Sequence, residues 1–294
     1  MILIADSGST KTDWCVMQEG KSQMTFQTKG MNPFFQTAEE RIDMLRQEVL
    51  PRLPQADVEA IYFYGAGCTP EKCMEVRSSL QQCIGQAEAS LPTDRRVIEV
   101  SSDMLGAARA LCGQQKGIAC ILGTGSNSCL YDGRQIQANV SPLGFILGDE
   151  GSGAVLGKLL VGSLLKGQLT AGLKEEFLHR YDLTPADIIE RVYRRPFPNR
   201  FLASLSPFLA THLDDPSIRR LVLDAFTAFI QRNVMQYNDY TTLPVHFCGS
   251  IAFYYRALLA EAVERQGLTL GHIVQTPLSG LVAYHTASVP LGQP

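Results

Sequence analysis

Short apolar runs that end in small polar residues recur along the chain, and each run predicts a β-strand. The first, "MILIA", leads into a glycine-bearing turn and then into "TDWCVMQEG", which has strand composition and ends in a second turn. This pattern predicts a β-hairpin. Two later runs, "VEAIYFYGAG" and "RRVIEVSSD", are rich in aromatic and β-branched residues and predict two more strands.

Helical periodicity lies between these strands. In "TAEERIDMLRQEVLPRL" the apolar residues recur at helical spacing with charged residues between them, and Pro51 ends the pattern. A helical stretch follows "VEAIYFYGAG", and "MLGAARALCG" predicts a further helix directly after "RRVIEVSSD". The first third of the chain therefore alternates strands with helices, which indicates an α/β domain.

The opening pattern recurs at "GIACILGTGSNSCLYDGRQI", where an apolar strand, a turn of glycines and hydroxyls, and a second strand follow one another. Self-similarity at about 120 residues suggests two related lobes. We expect an N-terminal lobe over 1–110 and a C-terminal lobe over 111–277, with the last helix, 278–294, open to assignment to the first lobe.

The second lobe continues with "GDEGSGAVLGKLLVGSLL", a glycine-rich entry to a helix. Prolines punctuate the mainly helical stretch 173–240, which we interpret as a helix-rich insertion. "LPVHFCGSIAFYYRALLAEAVERQG" then predicts a strand, a Gly-Ser turn and an amphipathic helix, and "HIVQTPLSGLVAYHTASV" a last strand and helix. The aromatic residues of "FYYRALL" are typical of a helix packed on a core, and a homodimer interface is the alternative.

Composition narrows the function classes. The net charge of −3 provides no basic face for nucleic acid. No apolar run approaches the roughly 18 residues of a membrane span, so we expect no membrane partner. The start of the chain lacks a basic segment and Asp6 interrupts its apolar run, so we expect no signal peptide and a cytoplasmic protein. The eight cysteines contain no C-x-x-C pair, which indicates reduced thiols rather than a zinc site.

The turn after the first strand has the composition of a phosphate-binding loop. It consists of Ser7, Gly8, Ser9, Thr10 and Lys11. Phosphate is held by converging backbone N–H groups, hydroxyls and a cation, and this turn provides all three, although a solvated hairpin turn is the alternative. The Walker lysine loop is absent. Asp6, at the carboxyl end of the strand, could hold Mg²⁺ through water.

Two further strand ends carry the same small residues. The second turn consists of Gly123, Thr124, Gly125, Ser126 and Asn127, and the third contains Gly249 and Ser250 before a predicted helix. Three such strand ends are hard to explain as independent ordinary turns. Together they predict a nucleotide site.

The motifs "DSGSTKTDW", "SSDMLGAARA", "ILGTGSN", "LGDEGSG" and "FCGSIA" occur in an order that resembles the BadF/BadG/BcrA/BcrD ATPase family, and within it the N-acetylglucosamine kinases. The resemblance covers nearly the whole chain. It implies the fold of actin, hexokinase and Hsp70, in which two related α/β lobes of ribonuclease H-like topology enclose a nucleotide cleft. It also implies ATP and Mg²⁺ as cofactors.

The resemblance also implies roles for single residues. Asp103 becomes the catalytic base, although a cap on the helix that follows Ser102 is the alternative. Thr10 and Thr124 would contact the ATP phosphates, with Gly249 and Ser250 on the nucleoside side. The residues implied to contact the sugar are Asn32, Ser126, Asn127, Gly144 and Asp149.

The implied reaction is γ-phosphoryl transfer from ATP to the C6 hydroxyl of an amino sugar, with N-acetylglucosamine as the expected acceptor. N-acetylmuramic acid and glucosamine are alternatives, because "SPLGFILGDEGSG" stands where the mammalian-type enzyme has a tryptophan-containing loop. Two alternatives come from other classes: an ATPase activator of a radical dehydratase and an ATP-binding sensor. The pair "GTGSN" and "GDEGS" argues against the activator.

Overall fold

The computed structural model describes residues 1–8, 10–54, 57–84 and 97–288. The chain forms two compact units. Unit 1 comprises the described residues within Met1–Gln114, Gly133–Gln135 and Pro277–Pro294. Unit 2 comprises Gln115–Asp132 and Ile136–Thr276.

Unit 1 is built on a five-stranded sheet with the order β3-β2-β1-β4-β5. Its strands are β1 (Ile2–Ser7), β2 (Lys11–Gln18), β3 (Lys21–Lys29), β4 (Ala60–Gly65) and β5 (Val97–Ser102). The first three strands form an antiparallel meander, and β4 and β5 continue the sheet from β1 in parallel. The parallel strands therefore end at the same edge as β1, which places their following loops together.

Unit 2 repeats this topology. Its strands are β6 (Gly117–Leu122), β7 (Ser126–Tyr131), β8 (Ile136–Ala138), β9 (Val245–Cys248) and β10 (Leu270–Val274), in the order β10-β9-β6-β7-β8. β6, β7 and β8 form the meander, and β9 and β10 lie parallel to β6. The predicted fold class, two related α/β lobes of the actin-like type, is confirmed.

Four helices belong to unit 1: α1 (Ala38–Met44), α2 (Pro70–Ile84), α3 (Asp103–Cys112) and α13 (Leu278–Ser288). Thr37 begins α1 with a capping box in which its hydroxyl accepts from the Glu40 amide and the Glu40 carboxylate accepts from the Thr37 amide. The helix continues as a π-helical segment and one 3-10 turn because Pro51 removes a backbone donor. The core of the unit includes the fully buried Trp14 and Phe63.

Unit 2 is richer in helix. Its helices are α4 (Gly144–Leu147), α5 (Gly153–Leu165), α6 (Leu173–Tyr181), α7 (Pro185–Tyr193), α8 (Pro198–Ser204), α9 (Ser206–Ala210), α10 (Pro216–Arg232), α11 (Ser250–Tyr254) and α12 (Arg256–Arg265). Their apolar faces form one core with β6 and β9, centred on residues such as Phe208, Phe226, Phe229 and Phe247. Within "FYYRALL", Tyr255 is buried in this core and Tyr254 is exposed. The homodimer stays a prediction.

Strand β3 was not predicted from the sequence. Its sequence, "KSQMTFQTK", contains two apolar residues, and six of its nine positions are exposed because it is the edge strand of the sheet. All eight cysteines lie within the described ranges, and none of them forms a disulfide. No helix within the described ranges is long and apolar enough to cross a membrane.

Candidate functional site

In unit 1 the sheet brings Asp6 and Asp103 to one edge. Asp6 lies opposite Tyr64 in the β1–β4 ladder, and Tyr64 lies opposite Ser101 in the β4–β5 ladder. Asp103 follows two residues later as the first residue of α3. The predicted metal residue and the predicted base therefore stand at the carboxyl ends of strands that are separated by one strand.

The turn after β1 is held together by the buried side chain of Ser7. Its hydroxyl lies 2.7 Å from the Thr12 hydroxyl and accepts a 3.0 Å hydrogen bond from the Met31 amide. Gly8 and Thr10 are exposed, and the Gly8 amide donates to the carbonyl of Lys11 at 2.9 Å. The Ser7 hydroxyl thus ties the turn to the Met31 backbone. Ser9, predicted for the same turn, lies outside the described residues.

Lys11 is held by a residue that the sequence analysis did not select. Its ammonium lies 2.9 Å from one carboxylate oxygen of Asp13. The other oxygen of Asp13 accepts a 2.5 Å hydrogen bond from the side chain of Gln27. Lys11 and Asp13 share one face of β2 because they are two residues apart. The spacing Lys-x-Asp within a predicted strand is the sequence feature that points to this ion pair.

Asp6 is in a strongly acidic environment. Burial, the charge of Asp103 and the charge of Asp13 raise the pKa of Asp6 to about 7, while Lys11 acts in the opposite direction. A cation bound here would relieve this repulsion, and carboxylate oxygens are suitable ligands for Mg²⁺. No group of three metal-ligating side chains occurs among the described residues. The Asp6 carboxylate fits an ion such as Mg²⁺, which keeps several water ligands and takes one or two carboxylates.

Asp103 combines a helix position with a raised pKa. Ser102 is the N-cap of α3, and its hydroxyl accepts a 3.2 Å hydrogen bond from the amide of Leu105. One oxygen of Asp103 accepts a 2.9 Å hydrogen bond from the Met104 amide. Burial raises the pKa of Asp103, and the Met104 amide partly opposes this shift. Ser102 performs the capping role, so the helix does not need the Asp103 carboxylate as its cap.

Asn32 lies in a tight turn after β3. Its side-chain oxygen accepts a 3.0 Å hydrogen bond from the Phe34 amide, and its own amide donates to the side chain of Gln36 at 3.1 Å. Gly67, after β4, has φ +78°, and a Cβ there would lie 2.5 Å from the side-chain oxygen of Asn32. Only glycine fits at position 67, and the sequence analysis did not identify its role.

In unit 2 the turn after β6 is fastened to the start of α5. The carbonyl of Gly123 accepts from the Gly153 amide at 2.8 Å, and that of Thr124 accepts from the Ala154 amide at 3.1 Å. These bonds satisfy amides that the first turn of a helix leaves without an internal partner. The helix thereby fixes the turn, which contains the predicted residues Gly123, Thr124 and Gly125. Ser126 and Asn127, predicted for the same turn, are the first two residues of β7.

Asp149 lies against the same turn. Its carboxylate accepts a 3.2 Å hydrogen bond from the Ser126 amide, and a Cβ on Gly125 would lie 3.1 Å from it. Burial raises the pKa of Asp149, and the Ser126 amide partly opposes this shift. Asn127 uses its side-chain oxygen to accept from Ser128 at 2.9 Å. These contacts bring Asp149 together with Gly125 and Ser126, and Asn127 follows Ser126 in the chain.

Gly144 and the third turn stand at other positions of unit 2. Gly144 begins α4, has φ +71° and is exposed. Gly249 has φ +114°, and a Cβ there would lie 2.2 Å from the carbonyl oxygen of Leu122, so this strand end packs directly on the end of β6. Ser250, the first residue of α11, is exposed. The third turn is therefore adjacent to the second through Leu122.

Comparisons with known proteins give relatives among solved structures. No protein-family model matches the chain, and no curated protein matches it. A crystal structure from Porphyromonas gingivalis, provisionally named an N-acetylglucosamine kinase, is 58% identical, with 98% of this chain and 99% of that chain covered and a TM-score of 0.92.

Two more distant structures share the fold. A Chromobacterium violaceum protein, also provisionally named an N-acetylglucosamine kinase, is 20% identical with a TM-score of 0.72 and covers 96% of this chain and 98% of its own. A glucokinase of the ROK family from Streptomyces griseus, solved with glucose and AMPPNP, is 16% identical with a TM-score of 0.57 and covers 96% of this chain and 97% of its own.

The identity to the Porphyromonas structure extends over almost the whole length of both chains, and both units have the repeated sheet topology that the fold requires. The chain therefore belongs to the N-acetylglucosamine kinase-like branch of the BadF/BadG/BcrA/BcrD ATPase family, a branch of ATP-dependent carbohydrate kinases with the actin-like fold.

Proposed function

We propose that this protein transfers the γ-phosphoryl group of ATP to the C6 hydroxyl of N-acetylglucosamine, with Asp103 as the base. The observation that carries the proposal is the state of Asp103. It is a carboxylate at the first position of α3 whose pKa is raised by burial, while Ser102 takes over the capping of the helix. A base is most effective when its pKa approaches the working pH.

In the proposed reaction Asp103 accepts one proton. As the sugar oxygen attacks the γ-phosphorus, the O–P bond to the sugar forms, the bond to the β-phosphate oxygen breaks, and the hydroxyl proton moves to the free carboxylate oxygen. The Met104 amide holds the other oxygen at 2.9 Å and so orients the carboxylate. The proton acceptor is thereby kept in one rotamer.

The phosphates are assigned to the glycine and hydroxyl turns of both units. In unit 1 these residues are Ser7, Gly8, Ser9, Thr10 and Lys11; in unit 2 they are Gly123, Thr124 and Gly125, with Gly249 and Ser250 toward the nucleoside. Mg²⁺ would supply charge neutralisation on the transferred phosphoryl group, and Asp6 is the residue that would hold it. The acidic environment of Asp6 supports this assignment, because it favours a bound cation.

The sugar is assigned to residues with directional hydrogen-bonding groups. They are Asn32, Ser126, Asn127, Gly144 and Asp149. The contact between Asp149 and the Ser126 amide supports this grouping for unit 2. Asp149 has a second oxygen that can accept from a ring hydroxyl while the first stays bound to the backbone.

The test is ATP consumption with N-acetylglucosamine, N-acetylmuramic acid, glucosamine and glucose in parallel, for the wild type and Asp103→Asn. We expect turnover with N-acetylglucosamine and a decrease of kcat in the variant by about 10² to 10⁴. Asp187→Asn is the matched control, because Asp187 also lies in the first turn of a helix, α7, and its carboxylate accepts hydrogen bonds from Thr184, which is not a predicted site residue.

The position of phosphorylation on the sugar is tested with a modified acceptor. N-acetylglucosamine that lacks the 6-hydroxyl should bind and not be phosphorylated, and phosphorus NMR of the normal product should show a primary phosphate ester. Turnover that is preferred with N-acetylmuramic acid or glucosamine would replace the proposed acceptor. Full activity of Asp103→Asn would remove the proposed base.

A further inference from the structure

Two large exposed aromatic side chains follow Asn32 and Pro33 in the chain. Phe34 and Phe35 have 59% and 61% of their surfaces exposed. Exposed aromatic rings beside polar groups are common in small-molecule sites, because the ring provides apolar area and the polar group fixes orientation.

The backbone that carries Phe34 is rigid. The Phe34 amide donates to the side-chain oxygen of Asn32 at 3.0 Å, and the Phe35 amide donates to the carbonyl of Asn32 at 3.0 Å. The side chain of Gln36 accepts from the Asn32 amide and donates to the carbonyl of Gly30. A ligand that packs on Phe34 therefore loses little entropy in ordering the turn.

The ring of Phe34 lies next to the carboxamide of Asn32. A Cβ placed on Gly67 would come within 2.5 Å of the Asn32 side-chain oxygen and within 2.9 Å of Cδ2 of Phe34. Both side chains therefore converge over the same glycine. One ligand that hydrogen-bonds to Asn32 can touch the Phe34 ring.

A positive charge lies close to this ring. The ammonium of Lys72 is 5.9 Å from the centroid of Phe34 and 2.6 Å from the carboxylate of Glu75. The carboxylate of Glu75 balances this ammonium, so the ion pair adds little net charge beside the ring. Apolar ligand groups therefore gain most from contact with the Phe34 ring.

We infer that Phe34 is a specificity-determining residue that packs against the C–H face of the pyranose ring and the acetamido methyl group of the acceptor sugar. This inference rests on the proposed function, in which Asn32 contacts the sugar. The acetamido group is neutral and carries a methyl, whereas the amine of glucosamine is protonated at neutral pH. Phe34 therefore selects N-acylated sugars over free amino sugars, because the acetamido methyl group gives its ring an apolar contact that an ammonium group lacks.

The experiment measures sugar binding and turnover with the full chain. Titration calorimetry with N-acetylglucosamine and with glucosamine, without ATP, gives the two dissociation constants, and initial rates give KM and kcat. For Phe34→Ala we expect both Kd and KM for N-acetylglucosamine to rise about fivefold to tenfold, with kcat within about twofold of the wild type. Phe34→Tyr should retain wild-type binding because it keeps the ring.

Phe35→Ala is the matched control, since it removes the same side chain from the next position of the same turn. It should leave binding unchanged.

The outcomes distinguish a failure of the proposed function from a failure of the inference about Phe34. A wild type that neither binds nor phosphorylates any sugar overturns the proposed function and this inference with it. A wild type that works, together with Phe34→Ala that binds as tightly, or with an equal loss in Phe35→Ala, overturns only the inference about Phe34.

Discussion

Asp6 and Asp13 lie directly opposite each other in the antiparallel ladder of β1 and β2. Their side chains therefore point to the same face of the sheet. Like charges that face each other are destabilising, and here the charge of Asp103 adds to the effect of burial, so that the pKa of Asp6 rises to about 7. The folded protein tolerates this arrangement at the end of β1, where the turn proposed to bind phosphate begins.

The first prediction is that divalent cations bind more tightly as the pH rises. Protons compete for Asp6 below its pKa of about 7, so the affinity for Mn²⁺ should increase between pH 6 and pH 8 and level off above that range. Electron paramagnetic resonance of free Mn²⁺ measures this binding without an activity assay. Asp6→Asn should bind weakly at every pH, and a wild-type affinity that does not change with pH would contradict the prediction.

The second prediction concerns stability. The folded-state pKa of Asp6 is raised above the unfolded value of 3.8, so the folded protein binds more protons between these two pH values and loses stability as the pH rises through them. Asp6→Asn removes this loss. We expect the variant without added cation to have a higher Tm than the wild type at pH 8 and a similar Tm at pH 4, by scanning calorimetry. Asp43→Asn, an exposed carboxylate on α1, should show no such pattern.

The third prediction tests the ion pair at the first turn. Asp13→Asn removes the carboxylate that lies 2.9 Å from the ammonium of Lys11. If Lys11 contacts phosphate, KM for ATP should rise about threefold to tenfold, since a mobile lysine loses entropy on binding. Glu48→Gln is the control, because it removes the 3.9 Å pair with Lys29 on the same sheet. Equal KM values for the two variants would argue against a role for Asp13.

The fourth prediction uses two glycines with positive φ. Gly249 has φ +114°, and a Cβ there would lie 2.2 Å from the Leu122 carbonyl oxygen, whereas Gly167 has φ +66° and a Cβ there would meet no heavy atom within 4 Å. Gly249→Ala should destabilise unit 2 by about 3 kcal/mol or more. Gly167→Ala should cost only about 1 kcal/mol. Thermal unfolding of both variants checks the difference, and similar costs would show that β6 and α11 can separate.

The fifth prediction concerns acid sensitivity in unit 1. His285 on α13 is buried, its Nε2 lies 2.8 Å from the Tyr64 hydroxyl, and burial lowers its pKa to about 4. The unfolded chain binds a proton at higher pH than the folded one, so stability should fall as the pH drops from 6.5 toward 4. His285→Gln cannot be charged and should lose less stability over this range in urea unfolding. Parallel pH profiles would assign the acid sensitivity to other groups.

Local patterns allowed much of the fold to be predicted. Apolar runs that ended in glycine and hydroxyl residues located β1, β4, β5, β6 and β9, because a buried strand must be apolar and a tight turn needs small residues. The edge strand β3 was missed because an exposed edge carries no continuous apolar run. The helix before Pro51 changes to π and 3-10 turns, a distinction that periodicity does not resolve.

The candidate site, like the fold, was predicted only in part from the sequence. The residue types at the turns, with Asp6 at a strand end and Asp103 at a helix start, were visible in the sequence because each belongs to a short contiguous motif. Asp13 and Gly67 were not identified. Each acquires its role from a partner that is distant in the chain or on another strand: Gln27 for Asp13, and Asn32 for Gly67.

The sequence by itself determined the alternation of strands and helices, the repeated hairpin and the small residues of the three turns, since these depend on interactions between neighbours in the chain. Only the tertiary structure decided that Asp6 faces Asp13, that Asp149 binds the Ser126 amide and that Phe34 converges with Asn32 over Gly67. These relationships depend on strand register and on contacts between distant segments. Local propensity does not specify such contacts; the burial of the whole core selects them.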